Sequence, residues 1–559
     1  MMKPKFDEFF SPDRLSLVID GFAAQYPDYF KVHEIGYTHQ NRPIYLLEIT
    51  DLSTDSNKKP AFYIDAATHA DEVTGSSVAV YTAWSLLDQA KNGVESIVNL
   101  LKRVTFHIVP ILNPDGVEVA LKCGYRWISN GRYAPEQSQP GPGFYQADVD
   151  GDGWIYEMRI PDPNGEYKIS QCDNRLMVHR APDEEGGQYY RILPEGFIRD
   201  WDGASIDIHK PVEINLNRGY PFSWTPPRLQ LGASPYPVSE PENRAVVEWF
   251  SSHSNIAGAM SYHTNGGVIL RPFSAHPDSA FPSGDMNLYK ALGAMGTEET
   301  GYPLISTFED FTPVGSLDVV RGGTLSDFTY EELGIPTFCT ELWNVYREAG
   351  AEVGHYLTGP KSEETMLKVL QWVDENVPDG FRTWRSIKHP QLGQVDIGGW
   401  NRLLATRNPP GKLIEKEAEP HARFAIRLAS TLPKVNVVAV KAECVSTGIY
   451  KVQAIVENNG YMATNLTRMG IDNEASLPVT AVLKSVSGDG VDMLDGAIRE
   501  LGHLSGRADR RAMYHPHGDK WGTPRRSAVW VIKAEKGTGV SVEAGCPRAG
   551  YHEASITLE

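Results

Sequence analysis

The sequence predicts an α/β fold, in which a mixed and mostly parallel sheet carries helices on both faces, followed by a C-terminal all-β sandwich. In the first part of the chain, apolar runs of strand length alternate with segments of helical periodicity, a pattern typical of α/β sheets. After about residue 390, short strands lie between turns rich in Gly and Asn, which indicates a sandwich. Because 559 residues are too many for one hydrophobic core, we expect two domains, at residues 1–385 and 386–559.

Each element follows from the spacing of apolar residues and from the turn signals that bound them. Residues 120–210 interrupt the pattern, since they are rich in Gly, Pro, Asp and Tyr, and we interpret them as a long insertion in the first domain. The predicted helices lie at residues 12–26, 74–89, 240–251 and 363–376. The predicted strands lie at residues 30–37, 44–49, 61–67, 104–112, 256–262 and 336–342, and in the sandwich at 435–444, 449–457 and 527–534.

Composition and charge limit the classes of partner. The net charge of −18 disfavours nucleic acid and anionic membrane surfaces. No uninterrupted apolar run of about 18 residues is present, so we expect no membrane-spanning helix. The five cysteines are far apart and lack Cys-x-x-Cys spacing, which argues against a disulfide scaffold or a cysteine zinc site. Residues 1–8 lack the apolar core of a secretory signal, so we expect a cytoplasmic protein, although a secreted one whose leader has been removed would look the same.

Three candidate metal ligands follow strands of the predicted sheet. His69 and Glu72 lie in the turn between the strand at 61–67 and the next helix, and His263 follows the strand at 256–262. Ligands of α/β sheets bind beyond the carboxyl ends of strands, where these side chains lie. Two imidazoles and a carboxylate are typical ligands of a hydrolytic zinc, which keeps a fourth position open. The alternative is a His-x-x-Glu pair on a solvated surface and a histidine that is satisfied in the core.

An acidic loop in the insertion has the pattern of the first half of an EF-hand calcium loop. Asp occupies loop positions 1, 3 and 5, and Gly at position 6 allows the sharp bend. Position 12 is an arginine rather than the usual bidentate Glu, so a nearer carboxylate would have to close the site. We hypothesise a structural Ca²⁺ that pins the insertion, and the alternative is a solvated acidic turn. The candidate ligands are Asp148, Asp150, Asp152, Trp154 and Glu157.

Further polar motifs lie at the strand ends and turns of the first domain. In chain order, and together with the metal candidates, the motifs are His69-x-x-Glu72, Asn113-Pro114-Asp115-Gly116, Asn217-Arg218, His263 and Glu341. In this order they resemble the zinc metallocarboxypeptidase family, that of carboxypeptidases A and B, over roughly residues 10–380. The chain also resembles a bacterial branch of that family with an Asp-rich insertion and a C-terminal sandwich.

The resemblance implies a carboxypeptidase-like fold and a role for each motif. His69, Glu72 and His263 would hold one Zn²⁺ per chain, which lowers the pKa of a water molecule and polarises the scissile carbonyl. Glu341 would be the general base that takes the proton of that water and later delivers it to the leaving amine. A pair formed by Asn217 and Arg218 would grip the terminal carboxylate of the substrate, because a guanidinium group makes two parallel bonds to a carboxylate.

The resemblance also implies two roles at positions outside these motifs. Leu325 lies where the family sets its side-chain preference, which indicates an apolar residue, although one added residue before Asp327 shifts the alignment. The arginine that stabilises the oxyanion would follow the turn at 113–116. Both Arg126 and Arg132 qualify for that role, and Arg126 is nearer the expected spacing.

The sequence departs from the family pattern at two positions that bear on substrate binding. Asp71 stands where the family often has an arginine, and an acidic side chain there would repel a carboxylate or attract an amine. The mobile tyrosine of the family is missing from residues 317–321, where Arg321 and the later Tyr330 are the candidate substitutes. We therefore expect intact zinc chemistry with an altered grip on the substrate.

The expected function is hydrolysis of a peptide or amide bond next to a free C-terminal carboxylate, in a peptide or a small amide. A zinc amidohydrolase that acts on N-acyl amino acids is an alternative with the same ligand set. A second alternative is a non-catalytic, carboxypeptidase-like binding protein, against which the intact Glu341 argues. Each polar residue also has a structural alternative, such as an ion pair for Arg218 and an exposed strand-end carboxylate for Glu341. The sequence indicates no oligomeric state.

Overall fold

The computed structural model describes residues 3–123, 142–204, 213–312, 321–353, 361–486, 490–512 and 523–559. The strands are β1 (Phe30–Tyr37), β2 (Pro43–Ile49), β3 (Ala61–Ala66), β4 (Thr105–Val109), β5 (Gly143–Gln146), β6 (Glu157–Pro161), β7 (Tyr167–Ile169), β8 (Met177–His179), β9 (Tyr190–Pro194), β10 (Gly196–Arg199), β11 (Ile256–Thr264), β12 (Val268–Arg271), β13 (Leu304–Ser306), β14 (Thr337–Leu342), β15 (Phe381–His389), β16 (Gly393–Trp400), β17 (Val435–Ser446), β18 (Ile449–Asn458), β19 (Val479–Ser485), β20 (Val491–Met493), β21 (Ile498–Gly502), β22 (Arg525–Ala534), β23 (Gly539–Cys546) and β24 (Gly550–Thr557). The α-helices are α1 (Pro12–Gln25), α2 (Thr74–Lys91), α3 (Glu95–Leu101), α4 (Pro114–Cys123), α5 (Pro241–Ser252), α6 (Ser283–Thr300), α7 (Leu325–Asp327), α8 (Val345–Glu348), α9 (Glu363–Asn376), α10 (Gly411–Ser430) and α11 (Arg468–Asp472).

The central sheet has eight strands in the order β1-β2-β4-β3-β11-β14-β12-β13. Its middle strands β4, β3, β11 and β14 run parallel. The β1–β2, β2–β4 and β14–β12 pairs are antiparallel, and the edge strand β13 runs parallel to β12. Every residue of β3 and β11 is buried, as expected of parallel strands covered on both faces. The sheet confirms the predicted mixed, mostly parallel α/β fold, and it brings the carboxyl ends of β3, β11 and β14 side by side.

Two long helices that the sequence analysis does not predict, α6 and α10, belong to the same core. Helix α10 packs against α2 and α6, and its apolar residues recur at helical spacing from Ile414 through Ala418 and Ala425 to Ala429. These residues share one hydrophobic cluster with the central sheet. The core of the first unit therefore includes the chain as far as Leu432, and Met462 and Leu466 from the C-terminal part join the same cluster.

The predicted insertion forms a second sheet with residues from beyond the central sheet. Its six strands have the order β15-β16-β6-β9-β7-β8, so the hairpin of β15 and β16 pairs with β6 of the insertion. A small core lies beneath this sheet and the separate β5–β10 pair, and it includes Phe144, Met158 and Ile397. The insertion is thus stabilised partly by a segment that lies about 240 residues further along the chain.

The C-terminal residues form two four-stranded antiparallel sheets, as the sandwich prediction requires. Their orders are β17-β18-β22-β20 and β21-β19-β23-β24, and a separate hydrophobic cluster that contains Trp530 lies between them. The division predicted after residue 385 falls inside β15, and both β16 and α10 pack with the first unit. We therefore propose a division near residue 434. Among the described helices, none is long and apolar enough to cross a membrane.

Candidate active site

Three side chains from two neighbouring strand ends form a candidate metal site. His69 and Glu72 lie in the turn between β3 and α2, and His263 is the next-to-last residue of β11. The Nδ1 atom of His69 lies 2.9 Å from Glu72 Oε1, and the Nδ1 atom of His263 lies 2.8 Å from Glu72 Oε2. One ligand atom from each residue lies within 4.8 Å of the others. The predicted ligands therefore converge because β3 and β11 are adjacent and parallel.

The donor set and its spacing fit a zinc ion. The two Nδ1 atoms of His69 and His263 are 3.2 Å apart. Ligands at about 2.0–2.1 Å from a tetrahedral zinc lie about 3.3 Å from one another. Two imidazole nitrogens and a carboxylate are also the donor types that zinc prefers in hydrolytic sites. The group is nearly closed to solvent on the side of Glu72, which is 2% exposed.

Partners that the sequence analysis missed hold the second nitrogen of each imidazole. Asn215 Oδ1 lies 3.0 Å from His69 Nε2, and Ser261 Oγ lies 3.3 Å from His263 Nε2. Ser261 also donates to the buried Asp65 at 2.6 Å. Such partners fix the orientation of ligating histidines and raise their basicity. The one visible sequence signal was Asp65 itself, an acidic residue inside the apolar strand β3.

The third ligand, Glu72, is surrounded by positive and donor groups. The backbone N–H of Thr264 donates to Glu72 Oε2 at 3.1 Å, and Arg407 Nη2 donates to Glu72 Oε1 at 2.7 Å. Burial by itself would raise the pKa of Glu72, but the neighbouring His69, Arg407 and His263 hold it well below its ordinary value. The carboxylate is therefore ionised, which is the form that ligates a metal.

Glu341 lies beside the metal group, near the end of β14. In the parallel pairing of β11 and β14, Glu341 is the register partner of His263. Burial, reinforced by the negative charge of Glu72, raises the pKa of Glu341 to about 7. The residue predicted as general base thus lies at the same edge of the sheet as the candidate metal ligands, and its pKa is raised.

A cavity of about 120 Å³ opens onto this group. It is lined by His69, Asn217, Arg218, Ser261, His263, Leu270, Ser274, Thr307, Phe311, Arg321, Thr324, Leu325, Ser326, Cys339 and Glu341. Burial, together with the nearby Arg321, lowers the pKa of Arg218 to about 10. Of the sequence-predicted residues, the cavity therefore brings together two metal candidates, Glu341, Asn217, Arg218 and Leu325.

Two local features of the backbone, a capped turn and a close approach at a glycine, place Arg218 in this cavity. The Asn215 side chain accepts a hydrogen bond from the N–H of Asn217 at 2.8 Å and thereby caps the short helical turn Leu216–Arg218. The backbone at Gly323, with φ of +71°, passes so close to this turn that an added Cβ would lie 2.8 Å from the carbonyl oxygen of Arg218. Asn217 then accepts from the N–H of Leu325 at 3.0 Å. Gly323 is therefore needed for the close approach of the two segments.

The remaining sequence-predicted positions have different outcomes. Arg126, Arg132 and residues 317–320 are outside the described residues. Tyr330 is fully buried and donates to Asp285 at 2.9 Å, whereas Arg321 does line the cavity. Asp71, which we expected to meet the substrate, is buried and forms an ion pair with Arg407 at 3.2 Å instead.

The calcium hypothesis gains no support from the described residues. Asp148 and Asp150 approach each other, but the third acidic residue near them is Glu195, which was not predicted. The other proposed carboxylates have arginine partners, since Asp152 pairs with Arg382 and Glu157 pairs with Arg402. Trp154 donates its N–H to Asp152 at 2.8 Å, so its contact belongs to the turn itself. The five predicted ligands therefore do not converge on one point.

Known carboxypeptidases resemble parts of the chain, from 18% to 67% of its length in three relatives. Carboxypeptidase A2 of Rattus norvegicus is 22% identical over 382 residues, which cover 67% of this chain and 71% of the relative. The carboxypeptidase N catalytic chain of Rattus norvegicus is 31% identical over 335 residues, 57% of this chain and 58% of the relative. Carboxypeptidase A4 of Mus musculus is 31% identical over 98 residues, 18% of this chain and 23% of the relative. The chain thus spans less than two thirds of the length of two of these three relatives.

Solved structures of the same kind resemble it more loosely. Thrombin activatable fibrinolysis inhibitor has 16% identity and a TM-score of 0.42, over 76% of this chain and 74% of that one. Carboxypeptidase A from Helicoverpa armigera has 16% identity and a TM-score of 0.41, over 66% of this chain and 73% of that one. Similarity at this level says nothing about function.

Two family models match separate parts of the chain. A domain of unknown function matches residues 434–557, which correspond to the two C-terminal sheets. The zinc carboxypeptidase model matches residues 16–357, well over half of the chain, and this range contains the central sheet, the metal group and Glu341. As its ordered motifs predict, the chain belongs to the zinc carboxypeptidase family, a family of metallopeptidases.

Proposed function

We propose that the protein hydrolyses the peptide or amide bond next to a free C-terminal carboxylate, with zinc held by His69, Glu72 and His263. The observation that carries the proposal is the single cavity that His263, Glu341 and Arg218 share. A metal group, a general base and a carboxylate-binding cation are the parts that this reaction requires. When bound, the zinc ion would supply Lewis-acid chemistry that polarises the scissile carbonyl and activates water.

Glu341 acts as the general base in this proposal. It takes a proton from the attacking water and later returns it to the leaving amine, so it must both accept and donate a proton near neutral pH. A pKa raised to about 7 suits both steps. Its position as register partner of His263 keeps it within the same cavity as the metal group.

Arg218 and Asn217 bind the terminal carboxylate of the substrate. A guanidinium group makes two charge-assisted bonds to a carboxylate, and burial of Arg218 favours an anionic partner because the cation has lost much of its hydration. The apolar cavity walls at Leu270, Phe311 and Leu325 favour an apolar side chain on the terminal residue. The proposed substrate is therefore a peptide or acyl amino acid with a free carboxylate and an apolar C-terminal residue.

Metal content tests the ligand assignment first. Elemental analysis of the purified protein should give about one zinc per chain, as three protein ligands with one open position require. His263→Ala should lose that zinc, whereas His179→Ala, at an exposed position of β8, should retain it. A wild-type protein that binds no zinc, even with excess metal, would contradict the proposal.

Activity of a zinc-retaining variant tests the role of Glu341. Glu341→Gln should keep its zinc and lower kcat by about 10²–10⁴-fold, the usual contribution of a general base. The substrates should be peptides that vary at the C-terminal residue, their C-terminally amidated forms and N-acyl amino acids. Preference for N-acyl amino acids over peptides would favour the amidohydrolase alternative. Zinc binding without turnover of any of these compounds would favour a binding protein.

A further inference from the structure

A segment outside the matched carboxypeptidase range docks against the turn that carries two of the candidate zinc ligands. Residues 401–408 follow β16 and precede α10, and they include the single helical turn Leu403–Arg407. The fully buried Asn408 donates to the carbonyl oxygen of Asp71 at 2.8 Å. Asn408 Oδ1 accepts from both the N–H and the hydroxyl of Thr74, at 3.1 and 2.7 Å. The segment is therefore fixed to the turn by its own hydrogen bonds.

Arg407 extends from this segment to the metal group. Its Nη2 atom donates to Glu72 Oε1 at 2.7 Å, and its Nε atom lies 3.2 Å from Asp71 Oδ2. Its Nη1 atom reaches Asn265 Oδ1 at 3.4 Å, just beyond the end of β11. The side chain of Arg407 is only 20% exposed. One guanidinium group thus bridges two adjacent carboxylates and the neighbouring strand end.

The two negative charges of Asp71 and Glu72 require a compensating cation such as Arg407. Asp71 and Glu72 are consecutive and both buried, with residue exposures of 5% and 2%. Two carboxylates in a buried site repel each other and are costly to ionise unless a cation compensates them. The planar fork of an arginine can hold both at once, which the point charge of a lysine cannot do as well.

We propose that Arg407 is a positioning residue that holds the Glu72 carboxylate in the orientation needed for the metal, and that Asp71 anchors the arginine for this task. The inference rests on the proposed function, since it concerns the same zinc site. It means that the active site of this chain is incomplete without residues 401–408, which lie beyond the range that the family model matches. It also gives Asp71 a structural task in place of contact with substrate.

Zinc affinity of the full-length chain tests the proposal without relying on turnover. We would measure the zinc dissociation constant of wild type and Arg407→Gln by competition with a fluorescent chelator. Loss of a residue that orients a metal ligand typically weakens metal binding by about 10–100-fold, and we expect Arg407→Gln to fall in this range. Arg407→Lys keeps the charge but loses the fork, so its dissociation constant should lie between those of wild type and Arg407→Gln.

The matched control comes from the same segment. Arg402 forms a comparable ion pair with Glu157 at 2.6 Å, but Glu157 belongs to the insertion sheet. Arg402→Gln should therefore leave the zinc dissociation constant within about twofold of wild type. Should Arg407→Gln fail to fold, Arg407→Lys and Asp71→Asn carry the test, since both should weaken zinc binding while circular dichroism stays native.

The outcomes separate the two proposals. A wild-type chain that binds no zinc overturns the proposed function, and with it this inference. A wild-type chain that binds zinc, together with an Arg407→Gln variant whose dissociation constant is within twofold of it, overturns the inference alone. Equal weakening in Arg402→Gln and Arg407→Gln also overturns it, because the effect would then be a general loosening of the segment.

Discussion

Helix α10 packs so closely on α6 that one methyl group added to α6 should measurably destabilise the protein. A Cβ atom added at Gly296 of α6 would lie 2.6 Å from Phe424 Cζ of α10 and 2.6 Å from Ile269 Cδ1 of β12. Phe424 and Ile269 are both fully buried, so neither has open space to move into. Gly→Ala in a helix normally stabilises by about 0.5–1 kcal/mol, whereas overpacking a core costs about 1–3 kcal/mol. We therefore expect Gly296→Ala to lower the free energy of unfolding by about 1–2 kcal/mol.

The assay is urea denaturation of the full-length chain, with Gly21→Ala as the matched control. Gly21 lies in α1, where an added Cβ would meet only Gln25 Nε2, at 3.8 Å. The midpoint should rise for Gly21→Ala and fall for Gly296→Ala, and adding Phe424→Leu to Gly296→Ala should recover part of the loss. A midpoint that rises equally in both single variants would refute the packing of α10 on α6. That packing matters for function because α10 directly follows the segment that carries Arg407.

Further measurements test the carboxylate site, the metal and one buried acid. Arg218→Met should lower kcat/KM by about 10²–10⁴-fold, since it removes two charge-assisted bonds of about 1.5–3 kcal/mol each. It should also abolish any preference for free over amidated C-termini, unlike the exposed control Arg228→Met. Chelation should lower the melting temperature, because zinc at 100 times its Kd stabilises the folded state by about 2.7 kcal/mol, and added zinc should restore it. Burial by itself would raise the pKa of Glu417, but contact with His421 outweighs burial and lowers this pKa. The ionised Glu417 therefore stabilises the fold at neutral pH, and this stabilisation fades as the pH falls below about 4. Glu417→Gln should therefore be less stable than wild type at pH 7, the difference in urea midpoint should shrink as the pH falls below about 4, and a constant difference would contradict this.

The sequence could predict those parts of the fold whose signal is local. The apolar runs of β3, β11 and β14 are long, end in turn residues and agree with the structure within a few residues. Helix α10 escaped prediction because Pro420 lies in its interior and argues against a helix, while packing against α2 and α6 outweighs that local cost. The hairpin β15–β16 escaped prediction because its partner strand β6 is far away in the sequence.

The candidate site likewise contains residues that the sequence could predict and contacts that it could not. The order of His69, Glu72, His263 and Glu341 along the chain was sufficient to predict a zinc hydrolase, because strand-end positions in an α/β sheet are set by local patterns. The role of Asp71 was not predictable, since its partner Arg407 is 336 residues away. The same holds for Asn215, whose contact with His69 spans 146 residues.

What the sequence by itself determined is therefore the family, the α/β class and the candidates for the groups that do the chemistry. Only the tertiary structure decided which charges surround those groups. Strand periodicity and metal-ligand chemistry are local properties of residues and their spacing. Compensation of a buried charge depends on which distant side chain folding brings within a few ångströms, as Arg407 is brought to Asp71 and Glu72.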